Sequence, residues 1–134
     1  MPSGSRRDRS AESGAAITEL VLITPALLFM VMVIFHFAVW FHASHVATAA
    51  AQEGARAARL EGGTNDAGRA RANDFLDAVG AKIIIERDVK PPIRDLEAGT
   101  VRVEVTGKAY PVIPLLLLPV RAVSEGPIEQ FRAP

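Results

Sequence analysis

From Leu20 to Phe41 the chain is apolar at every position except Thr24 and His36, and this run decides most of what the rest can be. As an α-helix rising 1.5 Å per residue it covers roughly 30 Å, the thickness of a bilayer core. A buried helix of that length in a soluble domain normally keeps a polar face; this one has none. Its far end carries Trp40 and Phe41 beside His42, a ring cluster suited to a membrane–water interface. The run therefore reads as one transmembrane span, about residues 20–41. Arg6, Arg7 and Arg9 precede it, which places the N-terminus inside and the C-terminal part outside under the positive-inside rule. Arg56 and Arg59, just beyond the span, weaken that bias, whereas Asp8 and Glu12 count for little in it.

The segments around the run follow from it. Residues 1–14 are polar, serine-rich and basic, and read as a flexible leader. After the run nothing breaks the helix: Ala43 to Leu60 is dense in strong helix formers, and Gly62-Gly63 supplies a stop. One helix over 15–61 would be roughly 70 Å long. In its second half small residues fall on two adjacent lines, Ala47, Ala51, Ala55 and Ala50, Gly54, Ala58, a flat face that another helix or a sheet can approach closely.

The remainder, 62–134, reads as a small domain near the lower size limit for a self-sufficient core, one that leans on a membrane or partner. Thr64 or Asn65 caps a second short helix running to about Val79, with Ala67, Ala70, Phe75, Leu76 and Val79 as its apolar positions. Lys82–Val89 is rich in branched residues and stops at Pro91-Pro92; Val101, Val103 and Val105 alternate with polar residues; a third strand covers Val120–Ser124 and extends toward Ile128. The expected fold class is α+β: the long helix, a second helix and an antiparallel sheet of about three strands. The apolar stretch Pro111–Pro119 is far too short to span a bilayer. It reads as a loop that fills the core; the alternative is an exposed patch touching lipid or a neighbouring subunit.

Little in the chain asks for chemistry. Fifteen basic residues balance fifteen acidic ones, so no basic field for nucleic acid exists. The absence of cysteine excludes disulfides and thiolate chemistry. His42 and His45 share a helix face, but no carboxylate joins them locally and His36 lies in the span, so they read as interface histidines, with no metal or other cofactor expected. No catalytic triad, phosphate-binding loop or zinc-protease motif is present. Glu19 is the residue that stands out. A carboxylate at the edge of an apolar span costs free energy, though less than at the bilayer centre. Were the chain cut between Gly14 and Ala15, the new amine would lie one helical turn from Glu19 and could pair with it, within the chain or across to a neighbour. Without a cut, Glu19 is simply a carboxylate well placed in the first turn of a helix. Pro25 removes a backbone donor and kinks the span slightly, while Glu53 and Arg56 form a one-turn surface pair beside Gly54.

Two blocks give this chain a resemblance. Gly14-Ala15-Ala16-Ile17-Thr18-Glu19, with basic residues before it and an apolar helix after it, is similar to the processing site of type IV prepilins. With Pro25 in the span and Glu53-Gly54-Ala55-Arg56-Ala57-Ala58 beyond it, the chain resembles the TadE-like family of Tad (tight adherence) pilus-assembly proteins over about Arg6–Arg59. The resemblance implies a non-enzymatic, pilin-like (pseudopilin) protein of the inner membrane that helps build an adhesive pilus. It implies a cut between Gly14 and Ala15 by a prepilin-type peptidase, with Glu19 guiding assembly. Pro25, Glu53, Gly54 and Arg56 would serve helix packing. The partners implied are membrane lipid and other pilin-like or Tad assembly proteins, met through self- or hetero-association of the N-terminal helix, with no nucleic acid. Two further readings compete. One is an exported soluble binding domain with a signal peptide cleaved near Ala47-Thr48-Ala49, although the apolar run exceeds the usual 7–15 residues of a signal core. The other is a membrane-tethered accessory subunit.

Overall fold

The computed structural model describes residues 5–60 and 62–129, with side chains from residue 17 onward. Helix α1 runs Ser5–Arg59 and contains Pro25. It starts ahead of the expected boundary at Ala15, because Arg, Ala and Glu, all good helix formers, dominate the stretch before Gly14. Just before Pro25, the Thr24 hydroxyl donates to the Leu20 carbonyl at 2.6 Å, the back-bonding to the preceding turn that a helical threonine can make. The chain divides into two compact units inside α1, Met1–Phe35 and His36–Pro134.

In the first unit the described side chains of α1 face outward almost throughout. Leu22 is 73% exposed, and Leu20, Val21, Leu28, Phe29 and Phe35 are all more than half exposed. That is the opposite of a core helix, and the helix is long and apolar enough to cross a membrane.

The second unit holds the core. Thr64 caps α2 (Asn65–Phe75) by accepting from the Ala67 amide at 3.0 Å, and the helix continues into a single π turn, Leu76–Gly80. The strands are β1 (Ile84–Val89), β2 (Ile93–Asp95), β3 (Thr100–Ala109) and β4 (Pro119–Pro127). All pairings are antiparallel and all use β3. β1 and β2 share one of its edges, from Ile84↔Ala109 down to Asp95↔Thr100, and β4 takes the other, from Thr100↔Pro127 to Lys108↔Pro119. The sheet thus has four strands, one more than the sequence suggested. β2 has only three residues directly after Pro91-Pro92, too few to show an alternation.

β3 presents Val101, Val103 and Val105 to the interior, joined by Val120 and Ala122 of β4 and by Ile84 and Val89 of β1. Against them pack Ala43, Val46, Ala47, Ala50, Ala51, Ala55 and Ala58 of α1. Both expected lines of small residues on α1 are buried. The buried face of α2 differs from the expected one. Ala67, Ala70 and Val79 point outward, and the inner line is Gly68, Ala72, Leu76 and Gly80. At the crossing, Gly68 and Ala72 face α1, because the two backbones come too close there to admit larger side chains.

The Pro111–Pro119 stretch departs most from expectation. It does not fill the core: Leu115 is 98% exposed, and Leu116 and Leu117 are exposed as well. The core is formed without it, by the alanines of α1 and the valines of the sheet in one buried cluster.

Candidate functional site

Gly14 and Ala15 lie on the α1 backbone, and their side chains fall outside the described residues. Glu19 is exposed on the same helix, four residues on, and so is Pro25. Their position follows from an uninterrupted helical sequence rather than from tertiary packing.

The Glu53–Ala58 block is built differently. Gly54 sits where α1 crosses α2 and touches the sheet. A Cβ placed there would lie 2.9 Å from the Gly68 carbonyl oxygen, 3.0 Å from the Ala72 Cβ and 3.3 Å from a Val103 methyl. Gly68 is the reciprocal position, where an added Cβ would stand 2.7 Å from the Ala58 Cβ. The crossing is therefore made by Gly54 and Ala58 against Gly68 and Ala72. Next to it the Glu53 carboxylate accepts from Arg56 at 3.4 Å and from Arg71 of α2 at 3.3 Å. Both guanidiniums are more than half exposed, so each pair contributes at most about 1 kcal/mol. Arg56 points to solvent, while Glu53 reaches the second helix and Gly54 lets that helix in.

Several positioning contacts carried no motif. Arg94 of β2 donates to the Ala58 carbonyl and, at 2.8 Å, to the Gly63 carbonyl, closing the C-terminal end of α1 with a cation where the helix dipole favours one. Arg69 donates to the Val89 carbonyl at 2.9 Å and ties α2 to β1. Arg87 joins the Leu76 carbonyl and the Asp77 carboxylate. On the outer face of the sheet Glu104 accepts from Lys90 at 2.6 Å and from Arg121 at 3.0 Å. Those two cations, Lys90 first, hold its carboxyl down at about 2, well below the usual 4.5.

His36 and Trp40 were the least legible. His36 is almost fully buried, and its Nδ1 accepts from the Val112 and Ile113 amides, each at 3.3 Å. Trp40 Nε1 donates to the Pro119 carbonyl at 3.0 Å. One turn of α1 thus holds both ends of the Pro111–Pro119 loop, across sequence separations of 76 to 79 residues. A histidine within an apolar run was the available signal, since a buried imidazole requires a partner. His42 and His45 take no part in this latch, and among the described residues no three potential metal ligands come together.

An outward-facing apolar helix continuing into a small, tightly closed α+β unit is compatible with a single-pass membrane anchor. The comparison with known families is more specific. Residues 14–56 match the family model described as TadE-like protein, so the resemblance read from the two sequence blocks holds over that stretch. The match opens on Gly14, runs through Glu19 and Pro25, and closes on Arg56. The match covers less than half of the chain and links that stretch to the family by its sequence alone. No curated protein and no solved structure matches the chain.

Proposed function

We propose that this chain is a pseudopilin-like subunit of a Tad-type adhesive pilus machine, without catalysis of its own. α1 anchors it in the inner membrane with the N-terminus inside and the α+β unit outside. A prepilin-type peptidase removes residues 1–14 by cutting between Gly14 and Ala15. The new amine then pairs with Glu19 one helical turn away, in the same chain or in a neighbour, and guides its association with other pilin-like or Tad assembly proteins. Pro25 supplies a slight kink in the packed span. The observation that carries this reading is the extent of the family match: it begins on the glycine expected to precede the cut and includes Glu19, Pro25, Glu53, Gly54 and Arg56 on one unbroken helix.

The test is the intact mass of protein purified from native membranes, with Gly14→Leu alongside. A mature chain starting at Ala15, lost in the variant, is expected. A start near Ala50 would indicate an ordinary signal peptide and defeat the reading; it would also remove Ala43, Val46 and Ala47 from the core. A chain starting at Met1 would overturn the processing step and leave a membrane-anchored assembly protein.

A further inference from the structure

The Pro111–Pro119 loop is displayed rather than buried, and its construction suits a place without water. No charged residue occurs between Lys108 and Arg121. Leu115 projects its whole side chain outward from a backbone with φ of 68°, a conformation non-glycine residues rarely adopt. Some of the backbone polar groups, which hydrocarbon penalises when unpaired, have partners or are absent. Pro111, Pro114 and Pro119 have no amide hydrogen. The Tyr110 amide donates to Ile83, those of Val112 and Ile113 to His36, and that of Leu116 to the Ile113 carbonyl. Trp40 closes the loop at the Pro119 carbonyl.

The anchoring points set where the loop lies. Trp40 ends the apolar run, where an indole ring seeks the membrane–water interface, and His36 is one helical turn further into the run. We infer that the Leu115–Leu118 tip inserts among the lipid acyl chains of the leaflet that Trp40 faces, giving the chain a second membrane contact beside α1. The occupant is lipid because the loop is held by His36 and Trp40, two residues of the apolar run itself. The inference rests on the proposed membrane anchoring, so its test must separate the two.

The chain has no cysteine, so single cysteines can be introduced at Leu28 in the span, at Leu116, and at Leu96. Leu96 is an exposed leucine beside the turn that leads into β3, whereas the loop follows the other end of that strand. Each full-length variant is labelled with an environment-sensitive fluorophore and reconstituted into phosphatidylglycerol–phosphatidylcholine vesicles, with or without nitroxide on the acyl chains. Labels at 28 and 116 are expected to lose fluorescence to the nitroxide to a similar extent, and the label at 96 to lose none; a label at Leu117 should repeat the result for 116. Loss at 28 with 116 behaving like 96 overturns the loop insertion and leaves the span intact. Protection of 116 from aqueous iodide without loss to the nitroxide also overturns it, because a protein surface would then be the occupant. No loss at 28 overturns both.

Discussion

Replacing Gly54 by alanine isolates what the small-residue crossing contributes. In an exposed helix the substitution would stabilise by about 1 kcal/mol, the difference in helix propensity. Here the new methyl meets the Gly68 carbonyl oxygen at 2.9 Å, the Ala72 Cβ at 3.0 Å and a Val103 methyl at 3.3 Å. Two of these are backbone or a first side-chain carbon, which cannot swing away, so α2 and the sheet must both shift. Overpacking of this kind costs about 1–3 kcal/mol. The net for Gly54→Ala is then a destabilisation of about 0–2 kcal/mol. Gly54→Leu keeps nearly the helix propensity of alanine while adding three carbons, and should lie well beyond the alanine variant. The assay is chemical unfolding of the detergent-solubilised chain, followed by far-ultraviolet circular dichroism. Ala72→Gly removes one of the three close contacts, so the double variant should recover about 0.5–1 kcal/mol relative to the sum of the singles. A Gly54→Ala chain stabilised by its full propensity gain, with no coupling to position 72, would refute the close crossing.

Two further outcomes follow from the side-chain contacts. The folded-state pKa of Glu104 lies below its ordinary value, so its stabilising effect is complete above about 4.5 and disappears as the pH falls toward about 2. Glu104→Gln should therefore melt below the parent at pH 7 and converge with it near pH 2; parallel melting curves at all pH values would contradict this. His36→Leu removes the acceptor for the Val112 and Ile113 amides, so hydrogen exchange in a peptide covering 110–118 should accelerate while one covering 100–106 is unchanged. Equal protection in both proteins would show that His36 does not hold the loop.

The parts legible in the sequence are those whose pattern repeats. The apolar run, the alanine lines of α1 and the alternating valines of β3 each span several turns or strand periods, enough for periodicity to fix type and facing. What escaped notice was short or depended on distant residues. β2 is three residues long. The inner face of α2 is set by how near α1 comes, which makes Gly68 and Gly80 interior and turns Ala67 and Ala70 outward. Pro111–Pro119 has the composition of a core, but its place is fixed by two hydrogen-bonding side chains more than seventy residues earlier. At the site itself, Gly14–Glu19 is legible as a motif. The glycine of the second block acquires its physical meaning only once Gly68 is opposite it.

The order of the elements also has a kinetic consequence. Every helical residue of the core is synthesised before the first strand residue, and the last strand to pair with β3 ends at Pro127. Loop closure over such separations is entropically costly and slow. Until β3 is made and docks, the alanine face of α1 lacks the valines that cover it, and until β4 follows, one edge of β3 stays unpaired. Exposed strand edges and apolar faces are the usual starting points of aggregation. The nascent chain therefore passes through its most vulnerable state before β4 is complete, and a factor that shields it would act before residue 127 emerges.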